Sequence, residues 1–124
     1  MMNAKDQLIL IVDLDAHFRE VLYNFLLSAG YERVDSAESY NNALEKTRET
    51  EYDVVLLDAG SSPRAGLEAA DSIAASSPKA KVVLMVGCQK QKELDHEAGS
   101  GADYQYLIKA AFAQNLLYLL EKSD

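Results

Sequence analysis

Residues 52–60 read Tyr-Asp-Val-Val-Leu-Leu-Asp-Ala-Gly, so four consecutive apolar residues, Val54 to Leu57, end in the carboxylate of Asp58. A short apolar run of this kind is typical of a strand buried on both faces, as in a parallel sheet. Ligands gather outside the carboxyl ends of the strands in open α/β sheets, so an acid at this point is placed for chemistry. The alternative is that Asp58 merely caps the turn that Gly60 begins.

The same pattern of an apolar run followed by a helical repeat recurs on both sides of this stretch. Strands are predicted over 8–12, 31–36, 52–58, 82–86 and 104–108. Helices are predicted from an N-cap at Asp15 to a stop at Gly30, over 38–50, around 67–74, over 89–98 and over 112–120. Strict alternation of this kind predicts an α/β fold, a five-stranded parallel doubly wound sheet flanked by five helices.

Composition and charge limit the classes of function. The 124 residues predict one domain over 1–124, with an ordered core over about 7–121. A net charge of −8 argues against direct nucleic-acid binding, and no run is long enough to span a membrane. Cys88 is the one cysteine, so the sequence excludes an internal disulfide and favours a cytoplasmic location.

Three charged residues end three of the predicted strands: Asp13, Asp58 and Lys109. The carboxyl ends of parallel strands lie at one edge of the sheet, so two carboxylates and one amine are expected to converge there. Like charges about 4 Å apart repel by roughly 4 kcal/mol at an effective dielectric near 20, so the pair needs a counter-charge. Either a Mg²⁺ ion or Lys109 supplies it. A carboxylate can also act as a nucleophile toward a phosphoryl group.

The chain resembles the receiver domain of two-component response regulators over essentially its whole length. The resemblance rests on the order and spacing of Ile-Val-Asp at 11–13, the 52–58 strand, Gly66, Gly-Ala-Asp at 101–103 and Tyr-Leu-Ile-Lys at 106–109. It implies a flavodoxin-like sheet of strand order 2-1-3-4-5.

The resemblance also implies a function in a phosphorelay. Asp58 would be the phosphoacceptor for a histidine kinase or phosphotransfer protein, and Lys109 would contact the phosphoryl oxygens. Asp13, Asp58 and the backbone carbonyl of Gly60 would hold Mg²⁺, with Asp15 as a further candidate ligand. The signal would pass to an output domain or partner protein, and the fourth helix, fifth strand and fifth helix would offer a surface for a homodimer.

Several positions depart from the family pattern. Leu14 stands where the family has a second metal-binding acid, which predicts weak Mg²⁺ binding. Val86, or Gly87 if the register slips by one, stands where the family has a switch hydroxyl. Ala110 replaces a proline that often follows a cis peptide bond, so a trans bond is expected here. In the loop after the acceptor, the usual proline is moved one place along.

These departures leave more than one function open. The preferred interpretation is a phosphorylated receiver in which Tyr106 occupies the family's aromatic switch position. The alternative is a pseudo-receiver, an interaction module that binds partners without a phosphate cycle. A haloacid dehalogenase-type hydrolase also uses an aspartate after a strand, but it expects an acid where Gly60 stands. Tyr118 is interpreted as a half-buried packing residue, and His17 and His96 as surface residues.

Overall fold

The computed structural model of the chain describes residues 3–60, 63–87 and 104–121. Its strands are β1 (Ile9–Val12), β2 (Val34–Ala37), β3 (Val54–Asp58), β4 (Lys81–Val86) and β5 (Gln105–Ile108). Its α-helices are α1 (Ala16–Ser28), α2 (Tyr40–Glu49), α3 (Pro63–Ser76) and α4 (Phe112–Glu121), and 3-10 turns cover Ala4–Asp6 and Lys109–Ala111. The helix predicted over 89–98 lies outside the described residues.

The five strands form one parallel sheet in the order β2-β1-β3-β4-β5. The predicted flavodoxin-like fold is therefore confirmed. In the ladder Val12 pairs with Leu57, and Asp58 pairs with Met85. This register brings the carboxyl ends of the strands to one edge of the sheet, which is where the charged residues follow.

The sheet separates two apolar cores, and alternate residues of each strand face opposite sides. Ile9 and Ile11 join the core under α1 and α4, whereas Leu10 and Val12 join the core under α2 and α3. Because both faces of the central strands are covered, β1 and β3 read as unbroken apolar runs instead of alternating ones. Burying one such aliphatic side chain stabilises the fold by about 1.5–3 kcal/mol.

Several element boundaries differ from the prediction by one to four residues, and two of these differences have a clear local reason. Helix α1 stops before Gly30, as predicted, and the φ of Gly30 is 100°. The amide of Gly30 donates to Leu27 and the amide of Tyr31 to Leu26, each at 3.0 Å, which is a Schellman cap. Tyr31 is therefore part of the helix stop, and β2 begins at Val34 instead of at 31. Helix α2 begins after Ser39, whose side chain accepts from the amide of Asn42, and not at 38.

The described peptide bonds are all trans, as expected for the bond between Lys109 and Ala110. Within residues 3–60, 63–87 and 104–121, no helix has the length and apolar character needed to cross a membrane.

Candidate functional site

Asp13, Asp58 and Lys109, here called the edge cluster, meet at the carboxyl edge of the sheet. Asp13 directly follows β1, Asp58 ends β3, and Lys109 directly follows β5. The ammonium nitrogen of Lys109 lies 3.0 Å from Asp13 Oδ2 and 3.3 Å from Asp58 Oδ1. The predicted convergence is confirmed, and the predicted ion pair involves both acids. One cation thus faces two carboxylates.

The electrostatics of the edge cluster are unbalanced toward negative charge. Burial raises the pKa of Asp13 above its usual value, against the opposing effects of the Asp15 amide and Lys109, and the charge of Asp58 raises it further. Burial alone would lower the pKa of Lys109, but its bonds and charge interactions with Asp13 and Asp58 raise it. Lys109 therefore stays protonated. The fully buried Asp13 Oδ2 has this ion pair but no well-directed hydrogen bond from the described residues.

Backbone amides and the Arg19 side chain hold the two acidic residues in place. Asp13 Oδ1 accepts from the amide of Asp15 at 2.8 Å, and the Arg19 side chain donates to the main-chain carbonyl of Asp13 at 2.6 Å. Asp58 Oδ1 accepts from the amide of Gly60 at 3.1 Å. These bonds orient the carboxylate groups before any ligand binds.

An aromatic residue also contacts Lys109. Its ammonium lies 4.5 Å from the centroid of the Phe18 ring, a cation–π contact. Phe18 in turn packs edge to face on Phe112, with centroids 5.6 Å apart. The sequence placed Phe18 and Phe112 only within the helices predicted over 15–30 and 112–120. The available signal was that Phe18 lies in the first turn after Asp15, close to the edge where Lys109 was expected.

Tyr40 is a second residue of the site that sequence reasoning missed. Its hydroxyl donates to the main-chain carbonyl of Asp58 at 2.7 Å. Burial, together with the charges of Asp58 and Asp13, raises the pKa of Tyr40 to about 12, so the hydroxyl stays a donor. The sequence placed Tyr40 only within the helix predicted over 38–50.

Gly66 allows α3 to lie against the backbone that follows the acceptor strand. A Cβ atom at this position would lie 2.7 Å from the main-chain oxygen of Ala59 and 2.8 Å from its Cα. Since both are backbone atoms of a buried segment, no rotamer change could relieve the contact. This explains in physical terms a glycine that the sequence pattern singled out.

The residues that could hold a metal are the two acids and the carbonyl of Gly60. A Mg²⁺ ion is commonly bound by one or two carboxylates with waters, so this donor set fits it. The buried Asp13 Oδ2, which lacks a well-formed hydrogen bond, offers it a ligand atom. Across the described ranges, however, no group of three or more His, Cys, Asp or Glu side chains is arranged as a metal site.

The two positions beside Asp13 differ in what they offer the site. Leu14 is 56% exposed at the rim and brings no oxygen ligand. Asp15 caps α1 as predicted, with Oδ1 accepting from the amides of His17 at 2.9 Å and Phe18 at 3.4 Å. Its carboxylate therefore already serves the helix, and its metal role stays a prediction.

The end of β4 is apolar, as the sequence predicts. Val86 pairs with Ile108 across the sheet, is buried, and contacts a small cluster that includes Ala59 and Tyr106. Tyr106 is half-buried there. The prediction for Tyr118 is wrong, because this side chain is 64% exposed. The predictions for Cys88, His96 and residues 101–103 lie outside the described residues.

Comparisons with known proteins agree on one family. The family model of the response regulator receiver domain matches residues 9–121. The chemotaxis protein CheY of Listeria monocytogenes is 31% identical over 115 residues, which cover 93% of this chain and 96% of CheY.

Solved structures show the same fold. A two-component response regulator from Clostridium difficile is 25% identical, with a TM-score of 0.77 and 93% of each chain covered. The receiver domain of the sensor histidine kinase PA1611 from Pseudomonas aeruginosa, which has a magnesium ion coordinated in its active-site cleft, is 22% identical with a TM-score of 0.72, over 93% of this chain and 94% of that one.

Proposed function

The chain belongs to the response regulator receiver family, and on that basis we propose that it accepts a phosphoryl group on Asp58. The donor would be a histidine kinase or phosphotransfer protein of a two-component system. The domain would act as a signalling module and not as an enzyme on a separate substrate. The observation that carries the proposal is the pairing of one ammonium with two carboxylates, Lys109 with Asp13 and Asp58, at the carboxyl edge.

From the contacts of Asp58 we infer separate tasks for its two oxygens. Oδ1 is already engaged by Lys109 and by the Gly60 amide. We assign the attack to Oδ2, which would form the new oxygen–phosphorus bond as the phosphorus–nitrogen bond of a phosphohistidine breaks. The electron pair of that bond would leave with the imidazole nitrogen. Lys109 would turn toward the transferred oxygens and offset their charge.

We further propose that Asp13, Asp58 and the carbonyl of Gly60 bind Mg²⁺ weakly. When bound, the ion would supply positive charge against the transferring phosphoryl group. The weakness follows from Leu14, which leaves one carboxylate fewer than the family pattern. The magnesium ion coordinated in the active-site cleft of the PA1611 receiver domain, which has the same fold, supports this proposal.

The partners and the location follow the family pattern. We propose that the domain functions in the cytoplasm, receives its phosphoryl group from a kinase or phosphotransfer protein, and signals to an output domain or partner protein. A homodimer would use the helix predicted over 89–98 together with β5 and α4. The exposed Tyr118 on α4 supports a contact surface there.

The test is the intact mass of the chain after incubation with Mg²⁺ and acetyl phosphate. We expect one phosphoryl adduct on the parent chain and none on Asp58→Asn. Asp35→Asn is the matched control, because Asp35 is also paired with a lysine but lies on β2, and it should keep the adduct. An adduct that persists in Asp58→Asn would refute the assignment of the acceptor.

The second candidate function is that of a pseudo-receiver with constitutive binding. Val86 and Leu14 favour it, because the switch position is apolar and a metal acid is missing. The edge cluster would then be a fixed ion pair. A parent chain that takes no adduct, from acetyl phosphate or from any histidine kinase offered, and gains no heat stability from millimolar Mg²⁺ would support this alternative.

A further inference from the structure

The peptide group between Asp58 and Ala59 is held at both ends. The hydroxyl of Tyr40, the first residue of α2, donates to the carbonyl oxygen of this peptide at 2.7 Å. Its amide, on Ala59, donates to the carbonyl of Met85 on β4 at 2.9 Å. A planar peptide fixed at its oxygen and at its nitrogen has little freedom to rotate. The chain that carries the acceptor carboxylate is therefore restrained just where β3 leaves the sheet.

The next residue along the chain, Gly60, lies close to the Tyr40 hydroxyl. Gly60 has a φ of 76°, which favours glycine, and a Cβ atom at this position would lie 2.9 Å from the Tyr40 hydroxyl oxygen. The hydroxyl thus fills the space where a side chain at position 60 would begin. Tyr40 on α2 therefore occupies space that Gly60, which has no side chain, leaves empty.

We propose that Tyr40 is a positioning residue of the acceptor site. Its hydroxyl fixes the Asp58–Ala59 peptide and the turn through Gly60, and so holds the acceptor carboxylate and the Gly60 carbonyl in place for phosphoryl transfer. This inference rests on the proposed function of Asp58. The aromatic ring contributes packing to the core under α2 and α3 as well, so the hydroxyl is the group whose effect must be isolated.

Tyr40→Phe removes the hydroxyl and keeps the ring. The matched control is Tyr52→Phe, because the Tyr52 hydroxyl also donates a 2.7 Å hydrogen bond to an aspartate, Asp35, outside the edge cluster. We expect Tyr40→Phe to slow adduct formation from acetyl phosphate by about three- to tenfold, the range that corresponds to one lost hydrogen bond. It should also weaken Mg²⁺ binding, followed by the chemical shift of the Gly60 amide.

Tyr52→Phe should leave both the rate of adduct formation and the Mg²⁺ titration at their parental values. A lower melting temperature in both variants would show that each lost a stabilising bond, while the rate would change in Tyr40→Phe alone. The proposal is overturned if Tyr40→Phe matches the parent chain in rate and Mg²⁺ affinity, or if the two variants slow the reaction equally.

A second experiment tests the contact without any phosphoryl transfer. Gly60→Ala is introduced into the parent chain and into Tyr40→Phe, and the urea midpoint of all four chains is measured. We expect Gly60→Ala to lower the midpoint less in the Tyr40→Phe background, because the hydroxyl that meets the new methyl group is gone. Equal shifts in the two backgrounds would overturn the inference. A parent chain that takes no adduct would instead overturn the proposed function.

Discussion

Two lysine–aspartate clusters in this molecule have opposite electrostatics. In the edge cluster, two carboxylates share Lys109, and burial raises the pKa of Asp13. On β2, the single carboxylate of Asp35 has three donors: the Tyr52 hydroxyl at 2.7 Å, the Ser36 amide at 2.8 Å and the Lys46 ammonium at 3.2 Å. Burial raises the pKa of Asp35, but these donors together lower it below its usual value.

This difference in charge balance makes the edge cluster a better site for a cation than the surroundings of Asp35. The Asp35 carboxylate is fully supplied with donors, so its charge is compensated and no further cation is needed. The edge cluster keeps a negative charge in excess and a buried oxygen without a good donor. Excess charge at a buried position is destabilising unless a ligand compensates it, and such positions are often functional.

The sharpest test of this contrast removes the cation from each cluster. Lys109→Met should lower the free energy of unfolding by about 2–3 kcal/mol, because it leaves two buried carboxylates uncompensated. Lys46→Met should cost about 0.5 kcal/mol, because that ion pair is more exposed. Urea unfolding at neutral pH without Mg²⁺ measures both. Equal losses would show that the two clusters do not differ as described.

A second test adds charge to the edge cluster. Leu14→Asp should strengthen Mg²⁺ binding by about tenfold, because it supplies a further carboxylate at the rim. Leu27→Asp is the control, since Leu27 is a similarly exposed leucine farther along α1. Isothermal titration with MgCl₂ measures both affinities. If Leu27→Asp strengthened binding as much, the gain would reflect net charge and not the site.

A third test weakens the β2 cluster. Tyr52→Phe should lower the free energy of unfolding by about 1 kcal/mol, the contribution of one hydrogen bond to a partly exposed carboxylate. Tyr23→Phe, at an exposed position on α1, should change it by less than about 0.3 kcal/mol. Thermal unfolding of the two variants beside the parent chain gives the comparison. No loss in Tyr52→Phe would mean that water replaces the hydroxyl.

The smallest expected effect is on the pH dependence of stability. A carboxyl whose pKa is lowered by folding stabilises the protein above its unfolded pKa, and this contribution is lost as the pH falls through the folded pKa. The melting temperature of the parent chain should therefore exceed that of Asp35→Asn by a few degrees at about pH 6, and this difference should shrink toward about pH 3. A difference that stays constant over this range would contradict the lowered pKa.

Most of the fold could be predicted because its signals are local. Continuous apolar runs identify the buried strands. Asp15 marks the start of α1 because its side chain caps the helix, and Gly30 marks the end because glycine tolerates a positive φ. The start of β2 could not be predicted, because Tyr31 looks like a strand residue. Its amide nevertheless donates to Leu26 in the helix cap, because the chain still turns out of α1 at this point.

Only those residues of the site that stand at the ends of strands could be predicted from the sequence. Asp13, Asp58 and Lys109 each stand at a strand end, so a parallel sheet brings them together. Tyr40 and Phe18 come from helices, and their reach depends on how α2 and α1 are placed over the sheet. No periodicity encodes that distance. The exposure of Tyr118 likewise depends on what covers α4, which the helix pattern alone leaves open.

The position of Lys109 has a consequence for synthesis on the ribosome. Asp13 follows β1 and Asp58 ends the neighbouring strand β3, so both are made within the first half of the chain, whereas their shared cation follows β5. A nascent chain that pairs β1 with β3 early brings two acids together before their counter-charge exists. The final strand and helix then complete a charge balance as well as a core. We therefore expect Asp13 and Asp58 to stay hydrated in a chain that stops before residue 109. Such a chain should be cleaved by proteases more readily than the whole chain.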